Sequence, residues 1–316
     1  MTVDSSRPVI FLMGPTASGK TRLAMSLVEQ SNCEIISVDS ALIYRDMDIG
    51  TAKPTADELS RAPHHLIDIR NPDESYSVAE FCADATNLIK QIHVRNKTPL
   101  LVGGTIMYFH SLQCGLSELP AADEQLRAHM TQQGEQQGWS ALHNKLQQVD
   151  PESAAKIHPN DAQRIQRALE VYQLTGMKLS SYFSHKTSLI PSRSLINIGL
   201  FPQERTLLHN NIAARFDDML NKGVIEELIR LREKWSLSAQ MPSMRCIGYR
   251  QIWNYLENEI PLDAMRDQAI AATRQLAKRQ LTWLRHYPEI ELIDPYTTGT
   301  KQITQQIICQ LQRTNC

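Results

Sequence analysis

The 316 residues are 42% hydrophobic and 21% charged, with a formal net charge of -1; this globular balance argues against a disordered, collagenous or membrane-embedded chain and suggests about two domains. No apolar run approaches the roughly 20 residues needed to cross a bilayer, and "MTVDSSRPV" lacks a signal-type apolar stretch, so a cytoplasmic protein without membrane contact is expected. Cys33, Cys82, Cys114, Cys246, Cys309 and Cys316 lie far apart with no C-x-x-C pair, which argues against a disulfide framework or a zinc knuckle.

Taken along the chain, short β-type runs "VIFLM" (9–13), "EIISV" (34–38), "HLIDI" (65–69) and "PLLVG" (99–103) alternate with amphipathic segments. That alternation predicts βαβ units and a parallel sheet. The first run leads into "GPTASGKT", which fits G-x-x-x-x-G-K-[ST]: Gly14, Pro15, Thr16, Ala17, Ser18, Gly19, Lys20 and Thr21. A strand ending at Met13 and a helix starting near Lys20 aim backbone N–H groups at an anion, Lys20 adds charge, and Thr21 offers a hydroxyl for Mg²⁺. The motif points to phosphates plus magnesium and leaves the reaction open.

The second run is followed by Asp39 and Ser40, at the carboxyl end of the sheet beside the phosphate loop. Asp39 reads either as a proton acceptor for a nucleophile or as a turn and helix cap. Gly103 and Gly104 close the fourth run, where many nucleotide hydrolases carry a metal-holding aspartate, which weakens a hydrolase reading. His64 and His65 have no acid or cysteine at ligand spacing and read as structural. Ser77 and Glu80 spell a capping box for the helix between the third and fourth runs.

From 121 to 189 the β-type runs vanish, and helices broken at Gly134, Gly138, Pro151, Pro159 and Gly176 are expected, an all-helical insert. A strand returns at 195–200, then helices over about 204–220, 223–234 and 262–286, a strand at 290–293 and a terminal helix. The expected fold is α/β, a P-loop NTPase-like parallel sheet flanked by helices, with the core discontinuous over 1–120 and 190–316. In the helix at 262–286, Leu276, Leu281, Trp283 and Leu284 are expected to face the core. Arg274, Lys278, Arg279 and Arg285 read as a basic side suited to RNA or as a solvated face.

In this order, "GPTASGKT", "SVDSALIYRDMDIGTAKP", "PHHLIDI", "YSVAEF", "LLVGGT" and "RCIGYRQ" resemble the bacterial tRNA dimethylallyltransferases, also called tRNA isopentenyltransferases. The likeness runs over most of the chain and is densest at 9–127 and 242–285. It implies transfer of a dimethylallyl group from dimethylallyl diphosphate to N6 of the adenosine 3′ of a tRNA anticodon, with Mg²⁺ on Thr21 and no other metal. By resemblance, residues 14–21 hold the diphosphate, Lys20 and Arg215 stabilise the leaving group, Asp39 takes the N6 proton and Thr105 positions the adenine. "ARFDDMLNKGVIEE" matches the family pattern R-x-x-x-M-x-x-x-G-x-x-x-E through Arg215, Met219, Gly223 and Glu227.

The resemblance further implies tRNA contacts, with the anticodon stem-loop as partner, at Asp39, Ser40, Ala41, Leu42, Thr105 and Arg127. It extends them to Gln163, Arg164, Ile165, Gln166 and Arg167, then to Arg245, Cys246, Ile247, Gly248, Tyr249 and Arg250. Lys278, Arg279, Gln280, Leu281, Thr282, Trp283, Leu284 and Arg285 complete the set. A monomer is expected. Three readings compete: a small-molecule kinase with Asp39 as base and Arg164 and Arg167 as lid arginines, a prenyltransferase acting on free adenine nucleotides, and a non-catalytic tRNA-binding protein.

Overall fold

The computed structural model describes residues 7–117, 119–184 and 188–314, so the expectations placed on the opening residues and on Cys316 lie outside them. The chain divides into two compact units, one made of 1–113 and 189–316, the other of 114–188. In chain order the elements are β1 (Val9–Met13), α1 (Lys20–Gln30), β2 (Cys33–Val38), α2 (Ala56–Arg61), β3 (His64–His65), α3 (Val78–Val94), β4 (Thr98–Gly103) and α4 (Ile106–Cys114). The second unit holds α5 (Glu124–Gln137), α6 (Trp139–Val149), α7 (Pro151–Lys156) and α8 (Ala162–Thr175). The first unit resumes with β5 (Leu195–Leu200), α9 (Arg205–Asn221), α10 (Val224–Lys234), α11 (Tyr249–Leu256), α12 (Leu262–Arg285), β6 (Ile290–Ile293), α13 (Pro295–Thr298) and α14 (Thr300–Thr314).

The described strands form one sheet in the order β3-β2-β4-β1-β5-β6, every neighbouring pair parallel. β1 lies inside it and is apolar throughout, because a strand covered on both faces has no solvent side to make polar. Its alternate side chains serve two layers. Ile10 and Leu12 pack with Leu23, Leu27, Ile303 and Ile307 from α1 and α14, while the Phe11 ring meets Phe109 of α4 at 5.0 Å. A separate core joins Ile43, Tyr44 and Met47 to α9, α10, α11 and α12 through Phe216, Leu228, Tyr249 and Leu281. From β1 the chain passes to β2 and β4 on one side, and only after β4 does it cross to β5 and β6 on the other, so the carboxyl ends of β1, β2 and β4 frame a crevice at the topological switch point.

The third run departs from expectation. Only His64 and His65 pair with β2, because Leu66 and Asp68 turn to φ of 62° and 56°. The chain then pairs with 42–45 instead: Arg70 N donates to Ile43 O and Arg45 N to Arg70 O, each at 2.9 Å. The Ser77–Glu80 capping box forms as expected.

In the second unit, Met130, Leu142, Leu146, Ile165, Leu169 and Val171 make a core of their own. Helix α5 runs through Gly134 rather than breaking there. A Cβ at Gly134 would stand 2.5 Å from the Trp139 ring, so this glycine serves helix packing, and the break comes at Gly138.

Candidate active site

A cavity of about 1540 Å³ opens in the first unit over the carboxyl ends of β1, β2 and β4. Thr16 to Thr21 line it; Gly14 and Pro15 are buried, and their carbonyls accept hydrogen bonds from Lys20 Nζ at 2.9 and 2.7 Å. Burial pulls the Lys20 ammonium down to about 7, Arg215 lowers it further and Asp39 opposes both. Arg215, half-buried on α9, is likewise lowered by burial and raised by Asp39. Lys20, Asp39 and Arg215, far apart in sequence, therefore share one electrostatic environment.

Asp39 combines the two roles that the sequence left open. Its Oδ1 accepts from Ala41 N at 2.8 Å and Leu42 N at 3.4 Å, an Asx-type turn, while no hydrogen bond from the described residues falls on Oδ2. One oxygen thus orients the carboxylate and the other is available for chemistry. Thr105 Oγ1 accepts from Ser40 N at 3.2 Å, joining the end of β4 to the Asp39 turn. The neighbouring Gly103 admits no side chain, since a Cβ there would lie 1.9 Å from Val38 O. A metal-holding aspartate of the hydrolase kind is sterically impossible at that point.

Helix α12 meets the cavity with a polar bracket. Gln280 is buried; its Oε1 accepts from Thr16 N at 3.0 Å and its Nε2 donates to Gly104 O at 2.8 Å, tying the phosphate loop to β4. Arg279 and Trp283 line the mouth, Lys278, Thr282 and Arg285 are exposed, and Leu281 and Leu284 are buried. Trp283 was expected in the core but is 46% exposed and meets His110 edge-on at 5.7 Å. In the carboxyl-terminal half of α12 the buried stripe is Ala277, Gln280, Leu281 and Leu284, and Trp283 lies outside its phase. Arg285 sits 5.4 Å from the Phe201 ring centroid.

Arg245, Cys246, Ile247, Gly248 and Tyr249 line the cavity, Arg245 being exposed and Tyr249 buried; Arg250 is exposed outside the lining. Burial, with Asp39 adding to it, pushes the Cys246 thiol up to about 12, which removes it as a nucleophile. Ser40, Ala41 and Leu42 complete the wall below Asp39.

In the second unit Arg127 and Arg167 are committed inward. Glu170, fully buried, takes Arg127 Nε at 2.8 Å, Arg167 Nη1 at 2.5 Å and Asp123 N at 2.9 Å. Burial opposes its charge, but Arg127 and Arg167 outweigh it and hold the carboxyl below its ordinary range. Gln166 Nε2 donates to Arg127 O, Ile165 lies in the unit's core, and only Gln163 and Arg164 of this segment are exposed. The side chains of Ile165, Leu281 and Leu284 are buried and set the backbone that carries their exposed neighbours, whereas Tyr249, though buried from solvent, lines the cavity.

Sequence reasoning missed Ser37, Tyr108 and Phe216 in the lining. Ser37 left a readable mark, a hydroxyl in the otherwise apolar end of "EIISV". Its Oγ and that of Ser18 are buried with no hydrogen-bond partner among the described residues.

The IPP transferase family model matches residues 42–287. The chain belongs to the IPP transferase family. Among its fellow members, a tRNA dimethylallyltransferase of Legionella pneumophila (strain Paris) is 55% identical over 291 residues, covering 92% of this chain and 93% of that one. The crystal structure of the full-length tRNA isopentenylpyrophosphate transferase of Bacillus halodurans is 37% identical, covers 98% of each chain and superposes with a TM-score of 0.70. A eukaryotic dimethylallyltransferase acting on tRNA is 27% identical, covers 96% of this chain and 80% of its own, with a TM-score of 0.80. The P-loop-like parallel sheet is thus the family fold. Among the described residues no helix is long and apolar enough to cross a membrane.

Proposed function

We propose that this IPP transferase moves a dimethylallyl group from dimethylallyl diphosphate to N6 of the adenosine 3′ of a tRNA anticodon, releasing diphosphate. The observation that carries this reading is a single cavity in which a phosphate loop and two cations face a carboxylate with one oxygen unengaged. A site that holds the departing diphosphate and an acceptor for the proton that N6 loses are what the transfer requires. The name of the Legionella pneumophila relative supports the same activity.

On this reading, the backbone N–H groups of the loop's carboxyl-terminal half, from Ala17 to Thr21, together with Lys20 and Arg215, hold the diphosphate and stabilise the charge that grows on it as the allylic C–O bond breaks. As the N6–carbon bond forms, Asp39 Oδ2 accepts the proton that N6 loses. Thr105, fixed to Ser40, positions the adenine. Stacked inside a loop, that adenine would be out of reach of Asp39, so the base is flipped into the cavity. Exposed Arg245, Lys278, Arg279 and Arg285 are suited to the phosphates of the anticodon stem-loop, and Gln163 and Arg164 are the candidates from the second unit.

The oxygen donors fit Mg²⁺. Thr21 is exposed at the start of α1, and the Ser18 and Ser37 hydroxyls are hard donors without a partner among the described residues. Among the described residues no cluster of three histidine, cysteine or carboxylate ligands stands ready for a softer metal. Held by Thr21, the ion would neutralise charge on the departing diphosphate.

The test is label transfer with purified protein, Mg²⁺, labelled dimethylallyl diphosphate and unmodified tRNA, with AMP and with ATP plus small acceptors in parallel. Label entering tRNA without ATP is expected. Label on AMP alone, or phosphate transfer from ATP alone, would overturn the proposal.

A further inference from the structure

Glu227, on α10, is only 4% exposed, yet no lysine or arginine pairs with it among the described residues. Four donors satisfy it instead: Oε2 accepts from Asp48 N at 2.9 Å and Ile49 N at 2.7 Å, and Oε1 from Gly50 N at 3.0 Å and the Tyr249 hydroxyl at 2.6 Å. Three successive backbone N–H groups wrapping one carboxylate form a nest, and charge-assisted bonds of this kind offset the cost of burying the charge. The packing leaves no slack, because a Cβ at Gly50 would lie 2.6 Å from the Tyr249 ring. Burial and the adjacent carboxylate both push the Tyr249 phenol well up, so it remains a donor.

The clasped turn is held in a conformation that its residues do not prefer, with Asp46 and Ala52 at φ of 63° and 50°. It is also tied back to the Asp39 turn. Lys53, its side chain 5% exposed, donates from Nζ to Asp48 Oδ1 at 2.6 Å and to Tyr44 O at 3.0 Å. Tyr44 N donates to Ala41 O at 3.3 Å, and Ala41 N in turn holds Asp39 Oδ1. Asp39, Tyr44, Gly50 and Tyr249 all line the cavity. The phosphate loop is bracketed separately, by Gln280.

We propose that Glu227 is a positioning residue: by clasping the Asp48–Gly50 turn to Tyr249 it fixes the Asp39 loop, the wall of the cavity that receives the acceptor base, without acting on the phosphate loop. This rests on the transferase reading above. It separates acceptor geometry from donor binding, and misplacement of a reacting group by about 1 Å is enough to cost a hundredfold in rate.

The test uses the full chain with Glu227→Gln, which keeps the size but turns a donor toward donors, and Tyr249→Phe, which removes one of the four bonds. Each is assayed well below its own unfolding midpoint. For Glu227→Gln, affinity for magnesium diphosphate is expected within about twofold of the parent, while single-turnover transfer to saturating tRNA falls about tenfold or more. Hydrogen exchange is expected to rise at Ala41 and Leu42 together with Asp48–Gly50; Tyr249→Phe shows the same pattern with smaller changes. Faster exchange confined to 48–50 with unchanged transfer would reduce Glu227 to a structural prop and overturn the proposal, as would diphosphate affinity falling in step with transfer. Should Glu227→Gln fail to fold, Tyr249→Phe decides between the same outcomes. A parent without transfer activity would sink the functional reading alone, because exchange at Ala41 and Leu42 still tests the clasp.

Discussion

Replacing Asp39 with asparagine separates its two jobs. The asparagine oxygen still accepts from Ala41 N and Leu42 N, so the turn that the carboxylate makes at 2.8 and 3.4 Å survives, whereas the second position loses both charge and basicity. General-base catalysis is worth about 100- to 10,000-fold, so transfer is expected to slow by about 100-fold or more, about 2.7 kcal/mol at the barrier. Stability should stay within about 0.5 kcal/mol of the parent, because the two bonds of the turn persist. Alanine is the contrasting variant: it loses the same catalysis and both turn bonds, with about 1–2 kcal/mol of added destabilisation. The assay is single-turnover label transfer to tRNA, paired with calorimetric binding of magnesium diphosphate and thermal unfolding. Diphosphate affinity close to the parent's is expected for the asparagine variant. Parent-like turnover in Asp39→Asn would remove Asp39 from the base role and leave only its turn.

Further predictions address the frame and the RNA face. Arg95, helped by His65 and Lys97 and opposed by burial, holds the Glu34 carboxyl down at about 2, against an ordinary value of 4.5. Its stabilisation is therefore complete above pH 4.5 and fades as pH falls toward 2; with Arg95 and Lys97 at 43% and 40% exposure, it is worth about 1–2 kcal/mol. Denaturant unfolding of parent and Glu34→Gln should show a gap that holds from pH 7 to 5 and narrows below; a gap independent of pH down to 3 would refute the assignment. Glu170→Gln should destabilise the second unit by about 2 kcal/mol, less than a fully buried pair because Arg127 and Arg167 are 41% and 26% exposed and regain water. An unfolding free energy unchanged within 0.5 kcal/mol would show that the cluster contributes nothing there. Neutralising Lys278 and Arg279 together should weaken tRNA binding and lower the slope of log affinity against log salt by about one to two. An unaltered slope would return both to the solvated surface.

Local patterns carried a large part of this protein. The phosphate loop was legible because its function lies in consecutive backbone N–H groups between a strand and a helix, a geometry that eight residues specify nearly alone. The Ser77–Glu80 box was legible because its partners sit within one turn, and β1 because a continuous apolar run ahead of the phosphate loop marks a strand buried on both faces. Where two local signals competed, tertiary contacts chose between them. "HLIDI" has strand composition, yet Arg70 and Ile43 found each other across the loop and drew its second half away from β2.

What the tertiary structure alone decided is which distant groups share an environment. Phase, not hydrophobicity, governs α12, so polar Gln280 is buried and brackets the phosphate loop while apolar Trp283 stands at the cavity mouth. Arg215 is indistinguishable in sequence from a surface helix charge; only the fold brings it within reach of Lys20 and Asp39. Arg127 and Arg167, which read as groups for an external anion, close instead on Glu170 of their own unit. Hydrogen bonding within helices, caps and turns is local and periodic, so sequence determines it; the field at a side chain is summed over everything folded around it, and no linear spacing records that sum.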